Sequence, residues 1–273
     1  MRWVVALGGI VVFVGALGLG AWLGRPRGEG EDEEPRGKRA ATITIALCLG
    51  VILLRLALSP AREFALIGWE DYALIRPWWP IPFALALLAA GSWHMRTPNA
   101  RKLVLAFAVL LSGVTAHKMI ATARFDPAEV TGRVGPDGVC LQTTDYTCGA
   151  AAAAELLGHL GVETDERDMA VRCWTNALTG TDEFCVARGL RQKLAGTGRV
   201  VRVQAPSFAE LAAREEPGMA TIQWSTFVDH WVVVRGVDAR GVILGDPLRG
   251  KVVLSEAEFK AVWRGGLVTA DRP

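Results

Sequence analysis

The run Gln142-Thr143-Thr144-Asp145-Tyr146-Thr147-Cys148-Gly149 sets a side-chain amide six positions ahead of a cysteine. The alanine-rich stretch from Ala150 to Leu160 follows directly, so a helix is expected to begin at the cysteine. A thiol placed there faces backbone N–H groups that have no intrahelical partner, and the positive end of the helix dipole. Both favour negative charge on sulfur, the nucleophilic form of the residue. A short strand, Val139-Cys140-Leu141-Gln142, leads into this loop.

Downstream, helices are expected around Glu166–Trp174 and Asp182–Leu194, with Thr181 as the N-cap of the latter. Ser207-Phe-Ala-Glu210 and Ser255-Glu-Ala-Glu258 have the spacing of capping boxes and predict two further helix starts. Strand-like runs lie at Arg199–Val203, Ala220–Trp224, Trp231–Arg235, Val242–Leu244 and Lys251–Leu254. Helices first and a mostly antiparallel sheet after them predict an α+β domain, long enough to bury a core.

A nucleophilic cysteine needs a base, and the chain has four histidines. His94 and His117 fall in the apolar N-terminal half. His159 is eleven residues beyond Cys148 on the expected helix, about 16 Å away at ~1.5 Å per residue. His230, ahead of Trp231-Val-Val-Val234, remains. Asp246 ends the next strand, after a turn expected between Gly236 and Gly241. Such a hairpin brings the two side chains to one edge, where the carboxylate would fix the imidazole tautomer. Asp229 and Asp238 compete, but Asp229 points to the other strand face and Asp238 falls in the turn. Gln142 is the candidate side-chain donor to an oxyanion, beside the Cys148 N–H. A structural thiol, a solvent-facing glutamine and a surface histidine are the plainer alternatives. Trp224 and Trp231 flank the base, with core packing favoured over a cleft wall. Asp145 and Tyr146 are turn or site-lining residues.

The composition divides the chain. Of 273 residues, 51% are hydrophobic and mean hydropathy is +0.27, an excess concentrated before residue 124. Residues 1–123 carry a net charge of +5 and residues 124–273 one of −3. A mildly acidic C-terminal half argues against nucleic-acid binding, which needs a basic surface. No phosphate-binding loop of the Walker type is present, so no nucleotide is expected.

Four apolar segments, roughly Trp3–Leu23, Ala41–Leu58, Trp79–Met95 and Leu103–Thr122, approach the ~20 residues that a helix needs to cross a bilayer. They predict an all-α membrane domain over 1–123, then a linker over 124–138 and the catalytic domain over 139–273. Two buried core helices are the alternative for the weaker last pair. Trp69, Tyr72, Trp78 and Trp79 suit an interfacial aromatic belt. The first segment is long for a cleaved signal peptide and is read as retained. Eight Lys/Arg in the first and third loops face three on the other side. This places those loops in the cytoplasm and the C-terminal half outside it. An integral inner-membrane protein in contact with the lipid bilayer is expected. Outside the cytoplasm Cys173 and Cys185 can pair, leaving Cys140 single; two buried thiols are the equal alternative.

Residues 139–267 resemble the bacteriocin-processing cysteine peptidases, the papain-like family that removes double-glycine leader peptides. The resemblance rests on Gln142, five intervening residues, Cys148-Gly149, His230 before a strand, Gly245-Asp246-Pro247 and the closing Phe259-Lys-Ala-Val-Trp263. It departs at Thr147, where many transporter-linked members have Asp, and no ATP-binding cassette follows. The resemblance implies a papain-like fold, a Cys148–His230–Asp246 triad with Gln142 as oxyanion donor, a peptide or protein substrate, and an exporter as a candidate associate. Neither metal nor organic cofactor is needed for that chemistry. Two other functions fit the same residues: an amidase or acyl/peptidyl transferase acting on cell-envelope peptides, and a non-catalytic membrane-anchored peptide-binding module with Cys148 in a disulfide.

Overall fold

The computed structural model describes residues 60–67, Tyr72 and 123–272 apart from Phe227, with isolated positions between 50 and 121. The four apolar segments read as membrane spans lie, but for such isolated positions, outside the described residues. So do Trp69, Trp78 and Trp79. No helix among the described residues is long and apolar enough to cross a membrane.

Two compact units divide the chain, and the second takes in Pro60–Ala73 as well as Arg124–Pro273. Its elements in chain order are α1 (Pro60–Leu66), a 3-10 turn (Pro127–Glu129), β1 (Arg133–Val134), β2 (Cys140–Leu141), α2 (Cys148–His159), α3 (Glu166–Arg172), α4 (Glu183–Lys193), β3 (Val200–Gln204), α5 (Phe208–Ala212), β4 (Gly218–Ser225), β5 (Val228–Asp238), β6 (Gly241–Asp246), β7 (Gly250–Leu254), α6 (Glu256–Val262) and β8 (Trp263–Asp271). Residues 124–138, expected as a linker, belong to this unit: Phe125 and Val130 are buried in its core.

β3 to β8 form one antiparallel sheet in the order β3-β8-β4-β5-β6-β7. Alternate residues of its central strands feed two cores, as the period of two requires. Met219, Trp231 and Val233 pack with α2, α3 and α4. Ala220, Ile222, Val232 and Val234 pack with Leu211 of α5 and Phe259 of α6. Burial on both faces is why β5 reads as the unbroken apolar run Trp231–Val234. β8 was not expected. It starts where α6 ends and carries Gly265 and Gly266, so its strand state comes from pairing with β3 and β4 rather than from its own residues.

α2 runs through the first core with Ala150–Ala153 fully buried, small side chains that let the helix lie close against its neighbours. It ends in a Schellman motif: Gly161 takes φ 75°, its N–H donates to Gly158 O and the Val162 N–H to Leu157 O. Both capping boxes form, at Ser207/Glu210 and Ser255/Glu258. The N-cap of α4 is Asp182 rather than Thr181. The Asp182 carboxylate accepts from Cys185 N at 2.8 Å, while the Thr181 hydroxyl pairs with Thr175 at 2.7 Å.

α1 and Tyr72 pack on α4. The Phe64 and Tyr72 rings lie 5.6 and 5.8 Å from that of Phe184, and Arg191 stands over Phe64 at 4.5 Å. Tyr72 donates its hydroxyl to buried Glu63 at 2.5 Å. It is thus a buried residue of this unit, not part of an exposed aromatic belt, because Phe184 offers its ring a partner.

Candidate active site

Cys148 opens α2 as expected. Its N-cap, Thr147, makes no side-chain cap bond. The Thr147 hydroxyl is engaged instead with Thr144, accepting from its N–H at 3.1 Å and donating to its carbonyl at 3.1 Å. In the first turn of α2 the Ala150 N–H donates to Thr147 O at 3.0 Å, and no side chain caps the N–H groups of Cys148 and Gly149. Gly149 is required by packing: a Cβ there would lie 2.9 Å from Thr181 Cβ and 3.0 Å from Trp231 Cδ1. Trp231 is core, its indole N–H donating to Thr181 O at 2.8 Å.

The loop before Cys148 is pinned from three sides. Gln142 N–H donates to Pro247 O at 2.9 Å, tying it to the residue after Asp246. Thr143 gives its N–H and hydroxyl to the two oxygens of fully buried Glu166, at 2.8 and 2.6 Å. Gln142 Nε2 donates one hydrogen to Thr144 O at 2.6 Å, and Gln142 Oε1 is buried without a partner.

The other half of the site comes from the sheet. Val233 pairs with Gly245, a register that sets Asp246 beside the stretch leading to His230. His230 Nε2–H donates to Asp246 Oδ1 at 2.8 Å, and both side chains are buried. Nε2 is taken, so Nδ1 is the nitrogen left to face the Cys148 thiol. Burial pulls the imidazole down, but the hydrogen bonds to Asp246 and Cys148 and their charges prevail and raise it to about 9. Burial alone would raise Asp246. The hydrogen bonds from His230, Leu248 N–H and Arg249 hold it at about 2. The competing acids are elsewhere: Asp229 pairs with Arg264 at 2.7 Å and Asp238 with Arg240 at 2.7 Å, both exposed. His159 ends α2 beside Glu155.

Two groups at the site were not singled out from the sequence. Arg249 Nε donates to Asp246 Oδ2 at 2.6 Å, and its guanidinium lies 5.3 Å from the Trp224 ring centroid. Trp224 is 49% exposed and its ring sits 5.3 Å from that of His230, so it walls the site rather than packing in the core. The signal in the chain was the i,i+3 spacing of Asp246 and Arg249 across a proline turn. The other is Glu155, seven residues after Cys148 and hence on the same helix face. It accepts from Arg235 Nε at 2.8 Å and lies against Gly245.

All four cysteines of this unit are free thiols. Cys173 and Cys185 do not pair. Cys173 is the C-cap of α3 and Cys185 lies in the first turn of α4, both buried, with the Cys185 N–H donating to Asp182. Burial pushes Cys140 and Cys173 up to about 12 and Cys185 well above the usual thiol range. Three of the four are thus inert near neutral pH, and Cys148 alone faces a base.

This α+β layout, with helices packed on an antiparallel sheet, is that of a papain-like cysteine peptidase domain. The model of the peptidase C39 family matches residues 138–273, and through that half the chain belongs to the peptidase C39 family, whose members are cysteine-type peptidases. An uncharacterized protein of Methanothermobacter thermautotrophicus is 28% identical over 141 residues, covering 51% of this chain and 92% of its own length. Another, from Methanothermobacter marburgensis, is 29% identical over 140 residues with the same coverage. Among solved structures, a double glycine motif protease from an AMS/PCAT transporter in complex with the leader peptide is 19% identical. It aligns over 52% of this chain and 93% of that one with a TM-score of 0.43. The peptidase domain of Streptococcus ComA is 20% identical over 49% and 96%, with a TM-score of 0.44.

Proposed function

We propose that this protein is a membrane-anchored cysteine peptidase in which Cys148, His230, Asp246 and Gln142 carry the reaction. The observation that supports this most is the convergence of three elements. The thiol at the start of α2 meets an imidazole on β5, and that imidazole is bonded to a buried carboxylate at the end of β6. The thiol proton passes to His230, and the sulfur attacks a peptide carbonyl carbon. The resulting oxyanion is held by the Cys148 N–H and by the Gln142 amide hydrogen not given to Thr144 O. His230 then protonates the leaving amine. A water, deprotonated by the same imidazole, splits the thioester and frees the thiol. The proposed substrates are peptides or proteins. Leader-peptide processing beside an exporter is the form that the family resemblance implies.

Hydrolysis of a peptide library by the full-length protein, followed by mass spectrometry, tests the reaction. Each product pair should together exceed its parent by one water. Products joined to a second amine would establish a transferase instead. In parallel, iodoacetamide should label Cys148 rapidly and in a pH-dependent way that His230→Ala slows. Absence of labelling without reductant would overturn the nucleophile.

For the membrane, the support is the four apolar segments, the eight-to-three distribution of basic residues, and the company that Pro60–Ala73 keeps. That segment follows the second apolar run yet belongs to one compact unit with residues after the fourth. On the four-span reading the two share a side of the bilayer, which the two crossings between them provide. A reporter fused at the C-terminus is expected to register outside the cytoplasm. A cytoplasmic signal would sink this topology.

A further inference from the structure

The Asp246 carboxylate serves two cations. Oδ1 accepts from His230 Nε2–H at 2.8 Å and from Leu248 N–H at 2.9 Å, and Oδ2 accepts from Arg249 Nε at 2.6 Å. The local chain dictates this. Asp246-Pro247-Leu248-Arg249 closes a β-turn, with Arg249 N–H donating to Asp246 O at 3.1 Å. The arginine at the last position of that turn is returned onto the aspartate at its first. The turn cannot drift, because Gly250 follows at φ 78°, where the Asp137 carboxylate leaves no room for a Cβ. Asp137 also accepts from Lys251 N–H. Above the pair lies Trp224, 5.3 Å from the His230 ring and 5.3 Å from the guanidinium carbon of Arg249. One indole therefore touches both cations that share the carboxylate.

We propose that Arg249 is a positioning residue that shares the Asp246 carboxylate with His230 and so weakens the hold of that carboxylate on the imidazolium. An undivided carboxylate would favour the imidazolium more strongly, and the guanidinium itself repels it. The charged groups facing His230 are few. They are Asp246 from β6 and, through Asp246, Arg249 from the turn; α2 contributes the titratable Cys148 and β4 the uncharged Trp224. Asp229, the neighbour of His230 in the chain, is turned to solvent and held by Arg264 at 2.7 Å. Arg249 has 46% of its side chain exposed, so its effect is screened and modest.

The proposal rests on the Cys148–His230 pairing put forward above. Its test avoids any need for a known substrate: iodoacetamide alkylation of Cys148 in the full-length protein, followed across pH by mass spectrometry of the Cys148 peptide. A thiolate–imidazolium pair gives two steps in the rate, the alkaline one where His230 loses its proton, near 9. Arg249→Gln is expected to move that alkaline step upward by roughly half a pH unit, and Arg249→Lys to leave it near its original position. Arg249→Leu, which keeps an apolar contact on Trp224 without the charge, should give the same upward shift. An alkaline step that stays in place in the Gln and Leu variants would overturn the proposal, leaving Arg249 a surface ion pair. A step that moves downward would overturn it too, by showing that the arginine holds Asp246 in position for the histidine. Failure of the pairing itself looks different. The wild type would then show one step, indifferent to His230→Ala.

Discussion

Replacing Cys148 with alanine is expected to lower hydrolysis of a cleaved peptide by about 10⁶-fold, and His230→Ala to do nearly the same. On the proposed assignment the two side chains act as one device. Sulfur without its base has no acceptor for its proton, and the base without sulfur has no proton to take. The Cys148→Ala/His230→Ala double variant should therefore be no slower than either single one. Gln142→Ala belongs to a different scale. On the proposed assignment it removes one of two oxyanion donors and leaves the Cys148 N–H, so turnover should fall by about 10²–10³-fold with the fold intact. Single-turnover cleavage, quantified by mass spectrometry, separates these cases. Losses that multiply in the double variant, or a Cys148→Ala protein within tenfold of wild type, would refute the assignment.

How much of this site could be read from the chain depends on where each residue finds its partners. Cys148 at the start of an alanine run, and the two serine-led capping boxes, are settled within a few residues, and the structure has them where the chain places them. His230 and Asp246 emerged by elimination, which works only because histidines are scarce. Their meeting depends on the β5–β6 register, and the turn between those strands is short enough to leave few choices. The choice between Thr181 and Asp182 as N-cap could not be made locally, because Thr175 decides it by claiming the Thr181 hydroxyl. β8 was illegible for a related reason. Arg264-Gly-Gly-Leu has no strand pattern, and only the gap between β3 and β4 makes it one. Tyr72 reads as part of a membrane boundary because aromatic residues near apolar runs suit an interface. Its partner, Phe184, is more than a hundred residues away. Arg249, Glu155 and Glu166 looked like ordinary charged residues. Each acquires its role from a partner that folding supplies, whether Asp246, Arg235 or Thr143.

Gly245→Ala should be among the most disruptive single-methyl changes in the domain. A Cβ on Gly245 would stand 1.8 Å from Glu155 Oε1 and 2.5 Å from its carboxyl carbon, so the carboxylate must move. It has nowhere suitable to go. Glu155 is fully buried, Oε1 is committed to Arg235 Nε at 2.8 Å, and Arg235 is itself tied to Asp137 O at 2.9 Å. Displacement combines the strain of overpacking, about 1–3 kcal/mol, with loss of a largely buried ion pair, which costs about 3–5 kcal/mol when one partner is stranded. A destabilisation of about 3–5 kcal/mol is expected, measured as a lower urea midpoint with an unchanged slope. The effect on activity should be larger than the loss of folded protein accounts for. Gly245 precedes Asp246, and Glu155 shares a helix face with Cys148, so the pair that is disturbed is one of the contacts between the elements that carry the site. Shortening Glu155 supplies the control. Glu155→Ala vacates the space a methyl needs, so Glu155→Ala/Gly245→Ala should be clearly more stable than the sum of its single changes predicts. Additive changes, or a Gly245→Ala protein as stable as wild type, would mean that Glu155 yields freely and that the glycine before Asp246 answers to something other than this carboxylate.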